Sequence, residues 1–242
     1  MIGYSRDGDV VTIELQREER RNAINLELCE GLRDSFENAA AEEARAVVLT
    51  GRGSAFCAGA DLNDVYSEAF TEQLLAMLHT IDSVPMPVIA AVNGPALGAG
   101  TQLAVASDLR VVAPDAFFAI PAAKLGITVD RWTVHRLAGL VGQGPARSML
   151  LGVEPLSAQA AFGFGLANKI GTLADAQAWA RSIAELAPLS LQHLKLALND
   201  DGTQDVEPHD QRAALLRAWM SDDAKEGRLA RKEKRAPKFL GR

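Results

Sequence analysis

Cysteine is nearly absent from this 242-residue chain: Cys29 and Cys57 are the only two. That is too few for a disulfide framework, and they read as reduced thiols of a cytoplasmic protein. Four histidines, His79, His135, His193 and His209, lie scattered with no HExxH and no Cys/His cluster, so no bound metal is expected. Basic charge is not in excess. The net charge of -6 argues against a general nucleic-acid binder. No long apolar run exists either: the most apolar stretch, Val84 to Val92, is broken by Pro85 and Pro87 and is far short of a membrane span. The opening MIGYSRDGDVVTIELQ lacks the basic and apolar regions of a secretory signal.

What is present describes an ordinary globular chain, 48% hydrophobic and 23% charged, long enough to bury a core without staples. Its charge is uneven. Residues 225–242 carry eight Lys/Arg against Glu226 and Glu233, a net +6, which leaves -12 on residues 1–224.

The apolar pattern predicts an α/β core. DVVTIEL (9–15) alternates as a half-buried strand, and ARAVVLTG (44–51), PVIAAVNG (87–94) and LRVVAP (109–114) read as short apolar strands. Helices are expected over 26–41, 65–82 and 98–106. The recurring unit is strand, glycine turn, helix. From Trp132 onward the spacing predicts helices over 132–141, 145–151, 157–163, 173–186, 189–199, 208–220 and 222–234. The layout is a core over 1–187 and a helical region over 188–242, with no low-complexity linker between them.

Two glycine-rich segments follow strand ends, where α/β proteins place their sites: GRGSAFCAGAD (51–61) and NGPALGAG (93–100). Neither is a P-loop or a usable dinucleotide fingerprint, and the chain has no GxSxG elbow. Glycines that merely permit tight turns are the plain alternative. A loop that opens a helix leaves backbone N–H groups free, and the helix dipole favours negative charge there. Two such N–H groups converging from separate loops make an oxyanion hole for a thioester carbonyl.

Four segments, RRNAIN (20–25), GRGSAFCAGADL (51–62), PVIAAVNGPALGAGTQLAVASDLRV (87–111) and EKRAPKF (233–239), together resemble the enoyl-CoA hydratase/isomerase (crotonase) superfamily over essentially the whole chain. The resemblance implies a spiral of repeated ββα units with a helical C-terminal trimerisation region, assembled as a homotrimer or a dimer of trimers. It implies a fatty acyl-CoA or enoyl-CoA ligand, with coenzyme A part of that ligand and no prosthetic group. By position, the oxyanion N–H groups are those of Ala60 and Ala99. Arg21 and Lys234 fall near the CoA phosphates, Lys234 reaching a neighbouring subunit's ligand. The backbone around Ala23, Ala58, Asp61 and Leu62 surrounds adenine and pantetheine.

One departure bears on chemistry. Hydratases of this family use two glutamates to add water across a conjugated double bond, and the matching positions here hold Gln102 and Ala122. Glutamine can hold a water but cannot take its proton near neutral pH, and alanine offers no polar group. Losing one positioned acid/base typically costs about 10²–10⁴ in rate. The chain therefore reads as an acyl-CoA binder with weak or no hydratase activity. The alternatives are an active hydratase or isomerase using Asp130 or a water held on Gln102, and an assembly subunit. Asp130 reads either as the N-cap of the helix that follows or as a ligand-facing carboxylate. Cys57 reads as a packed thiol, while Trp132, Phe117 and Phe118, with Leu74, Leu75, Met77 and Leu78, are divided between acyl pocket and core.

Overall fold

The computed structural model describes residues 1–199 and 220–237, and the helix expected over 208–220 falls almost wholly outside them. Six strands form the main sheet in the order β1(Ile2–Asp7), β2(Val10–Leu15), β3(Ala46–Gly51), β4(Val88–Val92), β6(Leu109–Val112), β9(Lys169–Ile170). The β1–β2 pair is antiparallel, and every pairing from β2 onward is parallel. A second sheet joins β5(Ala96–Leu97), β7(Phe117–Ala119) and β8(Leu156–Ser157).

The central strands are apolar throughout because both of their faces are covered. Val47, Leu49, Val88, Ala90 and Val92 pack toward α1(Leu26–Ala41), α2(Glu68–Ser83) and α3(Ala99–Ala106). The alternate residues Ala46, Val48, Ile89 and Ala91 pack on Ala176, Ala180 and Ile183 of α7(Leu173–Ala184).

The ββα repeat is visible once single-residue pairings are followed. After β2, Ile24 bridges Ala60 and α1 begins; after β3, Cys57 bridges Ala96 and α2 follows. Then β4 leads to β5 and α3, and β6 leads to β7 and α4(Arg131–Val141). Each bridge is formed with the next turn of the chain, so the second sheet climbs as a spiral. The sequence pattern showed only one strand per unit, because pairings of one to three residues are too short to leave a period-two signature.

Beyond α4 the described chain is largely helical: α5(Gln143–Leu150), α6(Ala158–Gly163), α7, α8(Pro188–Asn199) and α9(Asp222–Lys232). No described helix is long and apolar enough to cross a membrane. Lys195 anchors α8: its buried ammonium meets Asp108 Oδ2 at 2.8 Å and the carbonyls of Ile81 and Met86. Breaking a buried pair from one side strands the other charge, at about 3 kcal/mol. Lys195→Met should lower the urea-unfolding free energy by about that much; a loss under about 1 kcal/mol, the worth of an exposed pair, would show that α8 is not held by this contact.

Candidate active site

The two glycine loops are held face to face by backbone hydrogen bonds, from Cys57 N–H to the Pro95 carbonyl at 3.2 Å and from Leu97 N–H to the Cys57 carbonyl at 2.9 Å. Glycine is required at this contact. Gly59 (φ +107°) and Gly98 (φ +50°) adopt left-handed backbone, and a Cβ on Gly100 would lie 2.3 Å from the Cys57 carbonyl oxygen. Thr101 bolts the second loop down, donating its hydroxyl to the carbonyls of Ala96 and Ala119.

Helix capping separates α3 from its neighbours. Side chains of Asn25, Ser67, Asp130, Ser157, Thr172 and Ser221 cap α1, α2, α4, α6, α7 and α9. Like α5, which has Gly142 there, α3 has Gly98 at its N-cap and no side-chain cap. Its first N–H, from Ala99, and the N–H of Ala60 make no hydrogen bond to another described residue. Both residues line one cavity of about 460 Å³. At the other end of α3 the buried Arg110 guanidinium donates to the carbonyls of Ala104 and Ser107, a charge suited to the negative end of the helix dipole.

That cavity gathers Arg21, Ala23, Ala58, Ala60, Asp61, Leu62, Ala99, Gln102, Ala122 and Asp130. Lys234, expected to reach a neighbouring subunit's ligand, lies exposed just past the end of α9 and outside this cavity wall, to which Arg231, one turn earlier, contributes. Arg228 stacks 4.4 Å over the Tyr66 ring, fixing α9 beside the cavity, and Arg235 binds both Glu226 and Glu233. Only Lys225 and Arg235 of the tail form ion pairs among the described residues, and Arg228, Arg231, Lys232 and Lys234 form none. Lys238 and the end of EKRAPKF lie outside them.

Gln102 and Asp130 are in contact. Gln102 Nε2 donates to Asp130 Oδ2 at 3.2 Å and to Thr133 Oγ1 at 2.8 Å, while Thr133 donates its hydroxyl to Asp130 Oδ2 at 2.6 Å and its N–H to Oδ1 at 2.9 Å. Asp130 is therefore the N-cap of α4 and a cavity residue at once. A carboxylate can only accept, so the amide of Gln102 must turn its NH₂ toward it. The Gln102 carbonyl oxygen accepts no hydrogen bond among the described residues, and Gln102 lines the cavity. An ionised carboxylate has about four acceptor sites, and three on Asp130 are occupied.

Asp61 is engaged differently. Burial opposes its ionisation, but the Asn63 N–H and the Arg17 guanidinium at 2.7 Å outweigh that and hold its pKa below the usual carboxylate value. Arg17 also donates to the Ala23 carbonyl. Asn22, fully buried at φ +58°, ties RRNAIN to the first glycine loop through the carbonyls of Arg52 and Ala55. The sequence reading passed over Arg17, Asn22, Thr133 and Arg231. Thr133, three residues after a candidate cap, carried a signal; a left-handed Asn beside Arg left none.

Leu75 lines the cavity, and Leu74 lines it while also belonging to the core; Met77, Leu78 and Phe118 are core, as is Trp132, which meets the His79 ring edge to face. Phe117 stands outside the cavity wall. Among the described residues no cluster of three or more His, Cys, Asp or Glu could hold a metal.

Cys57 is a packed thiol. Desolvation pushes both Cys57 and Cys29 up to about 12. A thiol whose folded pKa is raised stabilises the fold below its unfolded pKa, and that contribution is lost as pH rises toward the folded value. Neither thiol should react with an aromatic disulfide reagent at pH 8 until the protein unfolds. Stability should fall between pH 9 and about 12. Rapid labelling of the native protein at pH 8 would contradict this burial.

The family model for enoyl-CoA hydratase/isomerase matches residues 5–242. The chain is 52% identical over 242 residues to the "Probable enoyl-CoA hydratase echA6" of Mycobacterium tuberculosis, covering 100% of both. It is 35% identical to the 2,3-dehydroadipyl-CoA hydratase of Escherichia coli, covering 98% of each. The crystal structure of an enoyl-CoA hydratase/isomerase from Pseudoalteromonas atlantica superposes with a TM-score of 0.90 at 29% identity, covering 99% of each chain. With its α/β spiral, its paired glycine loops and these likenesses, the chain belongs to the enoyl-CoA hydratase/isomerase family.

Proposed function

We propose that the protein binds fatty acyl-CoA thioesters, seating the carbonyl oxygen on the N–H groups of Ala60 and Ala99, and adds water to enoyl-CoA weakly or not at all. Coenzyme A enters as part of the ligand, with Arg20, Arg21 and Arg231 on the cavity wall supplying cations for its phosphates. Exposed leucines on α8, among them Leu189, Leu194 and Leu198, support assembly as a homotrimer or dimer of trimers, and the proposed location is the cytoplasm.

The observation that carries the proposal is the Gln102–Asp130–Thr133 cluster, whose Gln102 and Asp130 line the same cavity as Ala122. Hydration needs a base for the attacking water and an acid for the α-carbon. Position 102 offers a neutral carbonyl oxygen, position 122 offers a methyl group, and neither moves a proton. Binding asks only for backbone N–H groups, apolar walls and cations, all of which are present. Asp130 supports a second reading, an active hydratase or isomerase, because it is a carboxylate on the cavity wall with an acceptor site left over.

Calorimetry with acyl-CoAs, run beside a hydration assay on crotonyl-CoA, separates the two. Binding with turnover at least about 10³-fold below an ordinary enzyme rate of about 10 s⁻¹ is expected. Turnover at ordinary rates, abolished by Asp130→Asn, would establish the second reading.

Restoring the glutamates should be harder than two substitutions. A glutamate at 102 would face the Asp130 carboxylate, and like charges that close share a proton instead of both ionising. Gln102→Glu with Ala122→Glu should therefore hydrate crotonyl-CoA less well than the same pair combined with Asp130→Asn. Equal rates in the two would show that Asp130 does not constrain position 102.

A further inference from the structure

A second cavity, about 680 Å³, lies on the far side of the segment that carries Ala122. The two cavities share five wall residues: Ile120, Ala122, Ile127, Thr128 and Val129. Only the thickness of this segment divides them. The second cavity is otherwise lined mainly by apolar or small side chains of α4 and α5, such as Val134, Ala138, Ala146 and Leu150. His135, Gln143 and Arg147 form its polar side. Its walls thus suit a flexible hydrocarbon whose far end meets water.

Resting on the acyl-CoA reading above, we infer that the second cavity receives the distal part of a long acyl chain, which passes from the thioester cavity beside Ala122, so that Ala122 sets chain-length preference. The substitution that removes a hydratase carboxylate at this position also leaves a single methyl on the shared wall. A larger side chain there would close the partition. The occupant is the ligand's own tail because the groove shares this wall with the cavity that holds Ala60 and Ala99, so that only side chains such as the Ala122 methyl separate the two. Every methylene that leaves water for an apolar wall contributes up to about fourfold in affinity.

The test is calorimetry on the full chain with acyl-CoAs from butyryl to stearoyl. Affinity should keep rising through C16. Ala122→Phe should cut the ratio of palmitoyl-CoA to butyryl-CoA affinity by at least about tenfold, the worth of two buried methylenes. Gly139→Phe provides an independent block. Gly139 lines only the second cavity, and a Cβ there meets nothing within 4 Å, so this variant should bind butyryl-CoA as the wild type does and lose affinity for palmitoyl-CoA. Butyryl-CoA binding with no gain from added methylenes would overturn the tail path while leaving the thioester reading intact. So would an unchanged affinity ratio in both variants, the result expected if another copy of this chain fills the groove. Failure of every acyl-CoA to bind would overturn both.

Discussion

The structure depends on the close approach of two loops that only glycine permits. Gly59 and Gly98 hold backbone angles closed to most side chains, and Gly100 lies against the Cys57 carbonyl. Put a side chain at Gly100 and the loops must separate, carrying Ala60 away from Ala99. The rest of the fold serves that approach. The parallel strands β3 and β4 deliver the two loops side by side, Thr101 pins the second, and Arg110 caps α3 at the end remote from the site.

An oxyanion hole of backbone N–H groups requires no particular side chain. On the proposed reading, binding and catalysis are therefore separable within one cavity, the first residing in backbone geometry and the second in two side-chain positions. Gln102 is more than an inert replacement. Its amide bridges to Asp130 and Thr133 and so is tied into the cap of α4. Asp130 in turn is both cap and cavity wall, the two roles between which the sequence could not choose.

Much of this was legible beforehand. The apolar strands at 46–51 and 88–92 announced themselves because they are buried on both faces, and α1 by its helical spacing after Asn25. The glycine loops were readable from motif and spacing, as were Gln102, two residues past the second loop, and Ala122, just after β7. What stayed hidden was long-range: the one-residue bridges at Ile24 and Cys57, the Arg17–Asp61 pair 44 residues apart, and the Gln102–Asp130 contact across 28. None leaves a local period. Lys234, expected from the motif to reach a neighbouring subunit's ligand, lies exposed beyond the helix end, and Arg231, one turn earlier on α9, lines the cavity of its own chain.

The most direct test of the central claim is a crystal structure obtained after prolonged incubation with an enoyl-CoA. The account predicts an intact double bond, the thioester oxygen about 3 Å from both the Ala60 and Ala99 nitrogens, and no carboxylate positioned on the β-carbon. A β-hydroxyacyl product in the cavity, with Asp130 turned away from Thr133 to hold the added oxygen, would contradict it.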